Sequence, residues 1–350
     1  MATDRLFGTQ RQERLLAELR GHGSVRVRDL ARELGVSDLT IRRDIAALAE
    51  RGLVSKVHGG ATLPSRRAAT NPPRHVSIRF TLGMVVPSLD FYWPPVIAGA
   101  RAAAAALGVD IQLRGSSYDP EEDHRQVGRL VEAGEVHGLL LAPALDGDGA
   151  LPDWIGQLTV PTVLVERQPR AWAPAEWVRT DHAQGLALAI DHLREQGHQR
   201  IGLLLARESP TSTHLLRAWH AARADPDLAA VLVLQGFVPP GPGLKIVREC
   251  RRAGVTGLVV HSDPQAVALA GCCAEHGLQV PGDLAIVSYD DEVAHLAEPA
   301  LTAVRPPKSH IGRLAVELMV ARLLGGGRRP AHRVLLAPDL VVRASSVIRP

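Results

Sequence analysis

The chain has 350 residues and a formal net charge of +3, with 46% hydrophobic residues, which is enough for two or three domains with sizeable cores. Its three cysteines, Cys250, Cys272 and Cys273, are odd in number with two adjacent, which makes a poor disulfide framework and offers no zinc-ligand spacing. No run reaches membrane-spanning length and no apolar signal core opens the chain, so the sequence reads as a cytoplasmic protein.

Thr9 with Gln12 fits a capping box and opens a first helix, whose apolar face is Leu15, Leu16 and Leu19 and which Gly21 and Gly23 end. A second helix spans about Arg28 to Leu34, with Leu30, Ala31 and Leu34 inward, and Gly35-Val36 makes a tight turn into a third. Ser37 caps that third helix, while Ile41, Ile45 and Leu48 form one apolar stripe at i, i+4 and i+7. Thr40, Arg42 and Arg43 point mostly away from the stripe. A helix with a buried back, a free amide end that attracts phosphate and guanidinium groups able to bind guanine in a bidentate way suits the DNA major groove. Lys56 and His58 lie on the glycine-ended hairpin that follows, where a wing touches the backbone or minor groove. The candidate DNA contacts are therefore Ser37, Thr40, Arg42, Arg43, Lys56 and His58, in a winged helix-turn-helix. Charge agrees: residues 1–80 hold 15 Lys and Arg against 8 Asp and Glu, and residues 81–350 hold 25 against 29. The segment GSVRVRDLARELGVSDLTIRRDIAALAERGLVSKVHGGA, with its T-I-R-R-D core and H-G-G-A wing, resembles the amino-terminal domain of DeoR-type transcriptional regulators over roughly residues 9–63.

Residues 64–80, rich in proline and arginine and without period, read as a linker. Beyond Thr81, short apolar runs alternate with helical segments. The expected strands are Leu82–Val86, Val109–Leu113, Gly138–Ala142, Thr162–Glu166, Ile201–Ala206, Ala230–Leu234, Gly257–His261 and Leu284–Tyr289. Helices are expected near Pro94–Leu107, Glu121–Ala133, His182–Gln196, Thr211–Arg223, Leu244–Ala253, Pro264–His276 and His310–Leu324. Such alternation means an α/β fold with parallel sheet covered on both faces, in one large sheet or two lobes.

Two longer motifs resolve that choice by resemblance. VRTDHAQGLALAIDHLREQGHQRIG (178–202) and VPGDLAIVSYDDEVAHLAEPALTAV (280–304) are similar to signatures of the LacI-type effector domain, itself like periplasmic sugar-binding proteins. The resemblance implies two parallel-sheet lobes within 81–350, one from about 81–178 and 308–330, the other from about 181–304 and 335–350. Ligands of open α/β sheets collect past the strands' carboxyl ends. There the chain places Asp90-Phe91-Tyr92-Trp93, Glu166-Arg167, Phe237, Ser262-Asp263 and Asp290-Asp291. Three aromatics in a row stand out in a chain with only 12, and a stacked ring with a carboxylate on a hydroxyl pair is sugar chemistry. The resemblance puts Asp90, Phe91, Tyr92, Glu166, Phe237, Ser262 and Asp290 at the family's cleft, and Arg167 joins Glu166 at its strand end. Each has a plainer alternative: Asp290 capping a turn, Glu166-Arg167 as an ion pair, Phe237 as core, and the aromatic run as packing. One departure leaves the ligand open. Where the family often has an arginine early in the helix after Ile201–Ala206, alignment on Trp219-His220 puts Thr213, with Arg217 a turn later.

No Walker loop, H-E-x-x-H, G-x-S-x-G or C-x-x-C occurs, so neither an enzyme nor a metal or cofactor site is expected. The resemblance implies a DNA-binding regulator, a repressor of carbohydrate uptake or catabolism genes, working as a homodimer on duplex operator without a membrane. Its effector is an unphosphorylated sugar in the cleft. The alternatives are a purine or nucleoside effector and, opposed by the DNA reader, a solute-binding protein.

Overall fold

The computed structural model describes residues 11–12, 14–16, 18–19, 24–50, 54–57, 60–62, 80–90, 92–145, 150–169, 175–206, 209–222, 228–234 and 242–347, in two units, Met1–Val76 and Ser77–Pro350.

In the first unit, residues 11, 12, 14–16, 18 and 19 are helical (α1), with Leu15 and Leu19 fully buried. β1 (Ser24–Arg26) leads directly into α2 (Val27–Glu33), and Gly35, at φ +63°, supplies the left-handed turn that ends it. α3 (Asp38–Glu50) buries Ile41, Ile45 and Leu48 against Leu15, Leu19, Leu30 and Ala31, as the apolar spacing requires. β2 (Ser55–Val57) and β3 (Gly60–Thr62) form the wing, and the antiparallel sheet runs β1-β3-β2. A Cβ on Gly60 would lie 2.0 Å from the Val25 carbonyl oxygen, so only glycine allows β1 and β3 to meet there. α1 is tied to α3 through Asp44, whose carboxylate accepts from Arg11 Nε at 2.5 Å and from Gln12 Nε2 at 3.5 Å. The capping box expected of Thr9 and Gln12 lies partly outside the described residues, with Thr9.

The second unit is two six-stranded sheets built by one chain that crosses between them three times. The first passage lays down β4 (Phe80–Val86), α4 (Trp93–Leu107), β5 (Val109–Gly115), α5 (Pro120–Glu132), β6 (Gly138–Leu141), α6 (Asp153–Gly156), β7 (Thr162–Val165) and β8 (Glu176–Thr180). The chain then enters the second lobe as α7 (His182–Glu195), β9 (Ile201–Ala206), α8 (Pro210–Ala221), β10 (Leu228–Leu234), α9 (Pro242–Arg252), β11 (Gly257–His261), α10 (Asp263–Glu275), β12 (Ala285–Tyr289) and β13 (Thr302–Arg305). α11 (Lys308–Gly325) and β14 (Arg333–Leu336) return to the first lobe, and β15 (Asp339–Val341) ends in the second. The first sheet, β14-β8-β7-β6-β4-β5, is parallel throughout, and the second, β10-β9-β11-β12-β13-β15, is parallel except for β15. Helices cover both faces, so β6, β11 and β12 are buried along their whole length.

β4 starts at Phe80, inside the stretch read as linker, and the rest of that stretch lies outside the described residues. α11 belongs to the first lobe because it packs backbone-close on α4: Cβ atoms on Gly99 and Gly312 would lie 1.9 Å from Ser309 O and 1.8 Å from Val96 O. Gly197, at φ +90°, ends α7 in the left-handed region. The three thiols are free and buried on α9 and α10, and burial pushes those of Cys250 and Cys273 up to about 11. Among the described residues, no helix is long and apolar enough to cross a membrane.

Candidate functional site

The front of α3 is held in shape from its first turn. Ser37 Oγ accepts from Thr40 N at 3.2 Å and lies 2.9 Å from the Thr40 hydroxyl, an N-cap that fixes the start of the helix. Arg42 and Arg43 are exposed and, among the described residues, have no ion-pair partner. Lys56 lies on β2, and His58 lies outside the described residues. Asp44, the aspartate of the T-I-R-R-D run, faces the core edge and is spent on Arg11.

In the second unit, both lobes aim strand ends at one cleft of about 160 Å³. From the first lobe come Tyr92 and Trp93 after β4, Tyr118 after β5, and Glu166 and Arg167 after β7. From the second come Ser209 and Thr211 after β9, His261 and Ser262 at the end of β11, and Asp290 after β12. Parallel strands carry their loops to the same end, which is why residues so far apart in sequence meet.

Glu166 is the structural centre of the first wall. Its carboxylate accepts from Tyr92 OH at 2.5 Å, Thr180 OH at 2.8 Å and Thr180 N at 3.1 Å. Burial pushes its pKa up, and these donors pull it back. Arg167, 4% exposed, donates from Nε to the Pro143 carbonyl at 2.6 Å and from Nη1 to the Glu166 carbonyl at 2.9 Å. Its Nη2 has no partner, and neither does Trp93 Nε1; the guanidinium carbon lies 6.0 Å from the Trp93 ring centroid. On the second wall, Asp290 adopts φ +101° and faces His261 Nε2 at 3.5 Å through Oδ2, while its Oδ1 is buried without a partner. His261 Nδ1 is in turn 3.1 Å from Ser212 Oγ. Asp263 holds the Asp290 loop: its carboxylate accepts from the Ser288 hydroxyl and from the backbone N–H groups of Glu292, Val293 at 2.9 Å and Ala294 at 3.2 Å. Lys308 Nζ donates to the Asp290 carbonyl and to the Glu292 carboxylate, joining α11 to the same loop. Beneath the walls, His182 stacks on His214 at 5.4 Å and lies 3.9 Å from Glu166. Burial, with nearby cations, drives both histidines down, His214 to about 3.

Of the residues expected at this cleft, Tyr92, Glu166, Arg167, Ser262 and Asp290 line it. Asp90 does not: it is exposed in the bend after β4, where its own N–H donates to Ser88 Oγ at 3.0 Å. Phe91 and Phe237 lie outside the described residues. Tyr92 is committed to Glu166 through its hydroxyl, so it positions that carboxylate as well as offering a ring. Thr213 and Arg217 are exposed on α8 and do not line the cleft. Tyr118, His261 and Thr211 were not singled out from the sequence. Tyr118 and Thr211 stand where the strand-end rule, applied to β5 and β9 as it was to β4, places them.

The two units define a winged helix-turn-helix joined to a two-lobed sensor of the periplasmic-binding-protein type. Residues 11–67 match the DeoR-like helix-turn-helix domain, and residues 190–346 match the periplasmic binding protein-like domain. The chain thus joins a DeoR-like helix-turn-helix domain to a periplasmic binding protein-like domain. It is 25% identical to the arabinose metabolism transcriptional repressor of Geobacillus stearothermophilus, over 91% of this chain and 90% of that one. It is also 25% identical to the HTH-type transcriptional repressor PurR of Haemophilus influenzae, over 91% of this chain and 98% of that one. Its fold is that of a LacI family transcriptional regulator from Enterococcus faecalis with bound ribose, at a TM-score of 0.62 and 21% identity, covering 76% of this chain and 98% of the other.

Proposed function

We propose that the chain is a ligand-responsive transcriptional repressor of carbohydrate uptake or catabolism genes, which binds operator DNA through α3 and the wing and a sugar between its lobes. The observation that carries the ligand reading is that residues lining both walls of the cleft keep buried polar atoms without partners: Arg167 Nη2 and Trp93 Nε1 as donors, Asp290 Oδ1 as acceptor. An unsatisfied buried polar group costs about 1–3 kcal/mol, and more when charged. A hydroxyl both donates and accepts, so vicinal hydroxyls satisfy both walls at once, with Trp93 and Tyr118 beside them as ring faces. The second reading is a purine or nucleoside effector in the same cleft.

A ligand held by Arg167 in one lobe and Asp290 in the other binds best when the lobes are closed, so it shifts the lobe equilibrium by its differential affinity. In a homodimer that shift changes the fit of two α3 helices to two half-sites. The protein acts in the cytoplasm, as a binder and not a catalyst.

The test uses the full chain and fluorescently labelled duplex from upstream of its own gene. Wild type binds it in preference to random fragments, and Arg42→Ala and Arg43→Ala each weaken that preference at least about 10-fold while leaving the ligand response intact. A panel of pentoses, hexoses and nucleosides then changes operator affinity for sugars only. Equal binding to random DNA rejects the reader, and a response confined to nucleosides rejects the sugar.

A further inference from the structure

Among the described residues of the first unit, only two large apolar side chains are left exposed: Leu39 at 59% and Val57 at 47%. They stand on α3 and on the wing strand β2, the two elements that approach duplex in the reading proposed above. Leu39 is not on a frayed end. It lies inside the turn that Ser37 and Thr40 cap, so its side chain projects from fixed backbone. Arg42 and Arg43 follow it at i+3 and i+4 and are exposed beside it, and Asp38 precedes it. The inner face of the helix is filled by Ile41, Ile45 and Leu48, with Asp44 at its edge held by Arg11. The outward surface is therefore one apolar group set among guanidinium groups.

A single leucine is too small an apolar patch to dock another protein. The surface it matches is polyanionic with an isolated apolar point, and the major groove offers that at the thymine C5-methyl. We propose that Leu39 is a specificity-determining residue, packing on the methyl of a thymine close to the guanine read by Arg42 or Arg43. Side chains three and four apart on a helix sit about 5–6 Å apart, against 3.4 Å per base step, so thymine and guanine are one or two base pairs apart. The inference rests on α3 being the DNA-reading helix.

The experiment selects sites from a random duplex library with full-length wild type, then replaces each thymine of the selected site in turn by deoxyuridine, which removes only the methyl. For one thymine, one or two pairs from a guanine on which Arg42 or Arg43 depends, the replacement weakens wild-type binding about four-fold, the equivalent of one buried methyl. The same replacement leaves Leu39→Ala unchanged, and selection with Leu39→Gln moves the preferred base at that position toward adenine. A wild-type site at which no demethylation matters, or one whose loss persists in Leu39→Ala, overturns the inference while leaving the DNA reader intact. Failure of wild type to select any sequence removes the reader itself, and this inference with it. Thermal melts of both variants matching wild type confirm that the exposed position carries no fold.

Discussion

Asp290 and Asp291 are adjacent, both at positive φ, yet their carboxylates do opposite work. Asp291 is buried between Arg343 Nη1 at 2.7 Å and Arg305 Nε at 2.6 Å, and those guanidinium groups hold its pKa below the usual range against burial. Asp290 has only His261 at 3.5 Å and one oxygen with no partner. Asparagine tolerates the left-handed backbone of both positions, so Asn substitutions isolate the charge. Asp290→Asn is expected to leave the urea midpoint unchanged or raised, and to weaken sugar binding by about 10- to 100-fold, the worth of a charge-assisted hydrogen bond. Asp291→Asn should do the reverse, costing about 1–3 kcal/mol of stability because it takes the anionic partner from the largely buried Arg343, with sugar affinity kept. Calorimetric titration with denaturation curves separates the two, and equal effects on binding would remove Asp290 from the site. From sequence the pair was legible as a strand-end acidic site, but its division of labour was not, because Arg343 arrives 52 residues later. The aromatic run has the same history. Its place at a strand end was readable, but the use of the Tyr92 hydroxyl depends on Glu166, 74 residues away.

The cleft keeps its shape because α4, which carries Tyr92 and Trp93 at its start, is locked to α11, which carries Lys308 at its start. The lock is the contact of Gly99 with the Ser309 carbonyl and of Gly312 with the Val96 carbonyl. Gly312→Ala puts a methyl 1.8 Å from backbone oxygen, which no rotamer relieves. Overpacking of this kind costs about 1–3 kcal/mol. It should also loosen sugar binding by displacing Trp93 relative to Lys308 and the Asp290 loop, and a urea midpoint equal to wild type would show that the helices can part freely. The elements themselves were readable in proportion to their burial. β6, β9, β11 and β12 are apolar throughout or nearly so, and their positions follow from that. β8, β13, β14 and β15 were missed. β14 and β15 are short edge strands, half exposed, with little apolar signal. β8 begins with Glu176, buried in the sheet only because Arg322 and Arg329 arrive at 2.7 and 3.3 Å from α11 and the segment after it. β13 is four residues long and ends in an exposed arginine.

Whole-molecule stability should depend on pH through the layer beneath the cleft. His214 has its pKa lowered from 6.5 to about 3 by burial and by Arg179, Arg217 and Arg167, and burial lowers His182 in the same direction. A depressed pKa means that the unfolded chain takes up the proton first, so each histidine's contribution is complete above about 6.5 and is lost as pH falls toward the folded value. For His214 at pH 5 the loss is roughly 2 kcal/mol. Glu166 works in the opposite sense: its raised pKa means its contribution is complete below about 4.5 and is lost as pH rises through the folded value, so acidification returns part of what the histidines lose. All five tryptophans lie beyond residue 76, so their fluorescence follows the sensor unit without the reader. Urea midpoints read by that fluorescence should fall from pH 7.5 to pH 5 in wild type and fall distinctly less in His214→Gln. An identical slope in the variant would mean that His214 takes up its proton in the native state. His182 lies 3.9 Å from Glu166 of the first lobe, and burial keeps its ring neutral in the folded sensor over this range, so acidification leaves the seam on which a bound ligand must act intact. The sugar-induced change in operator affinity should therefore persist from pH 6.5 down to the unfolding transition, when anisotropy is recorded at fixed salt. A response that weakens well before the unfolding transition would mean that the histidine stack takes up protons in the native state.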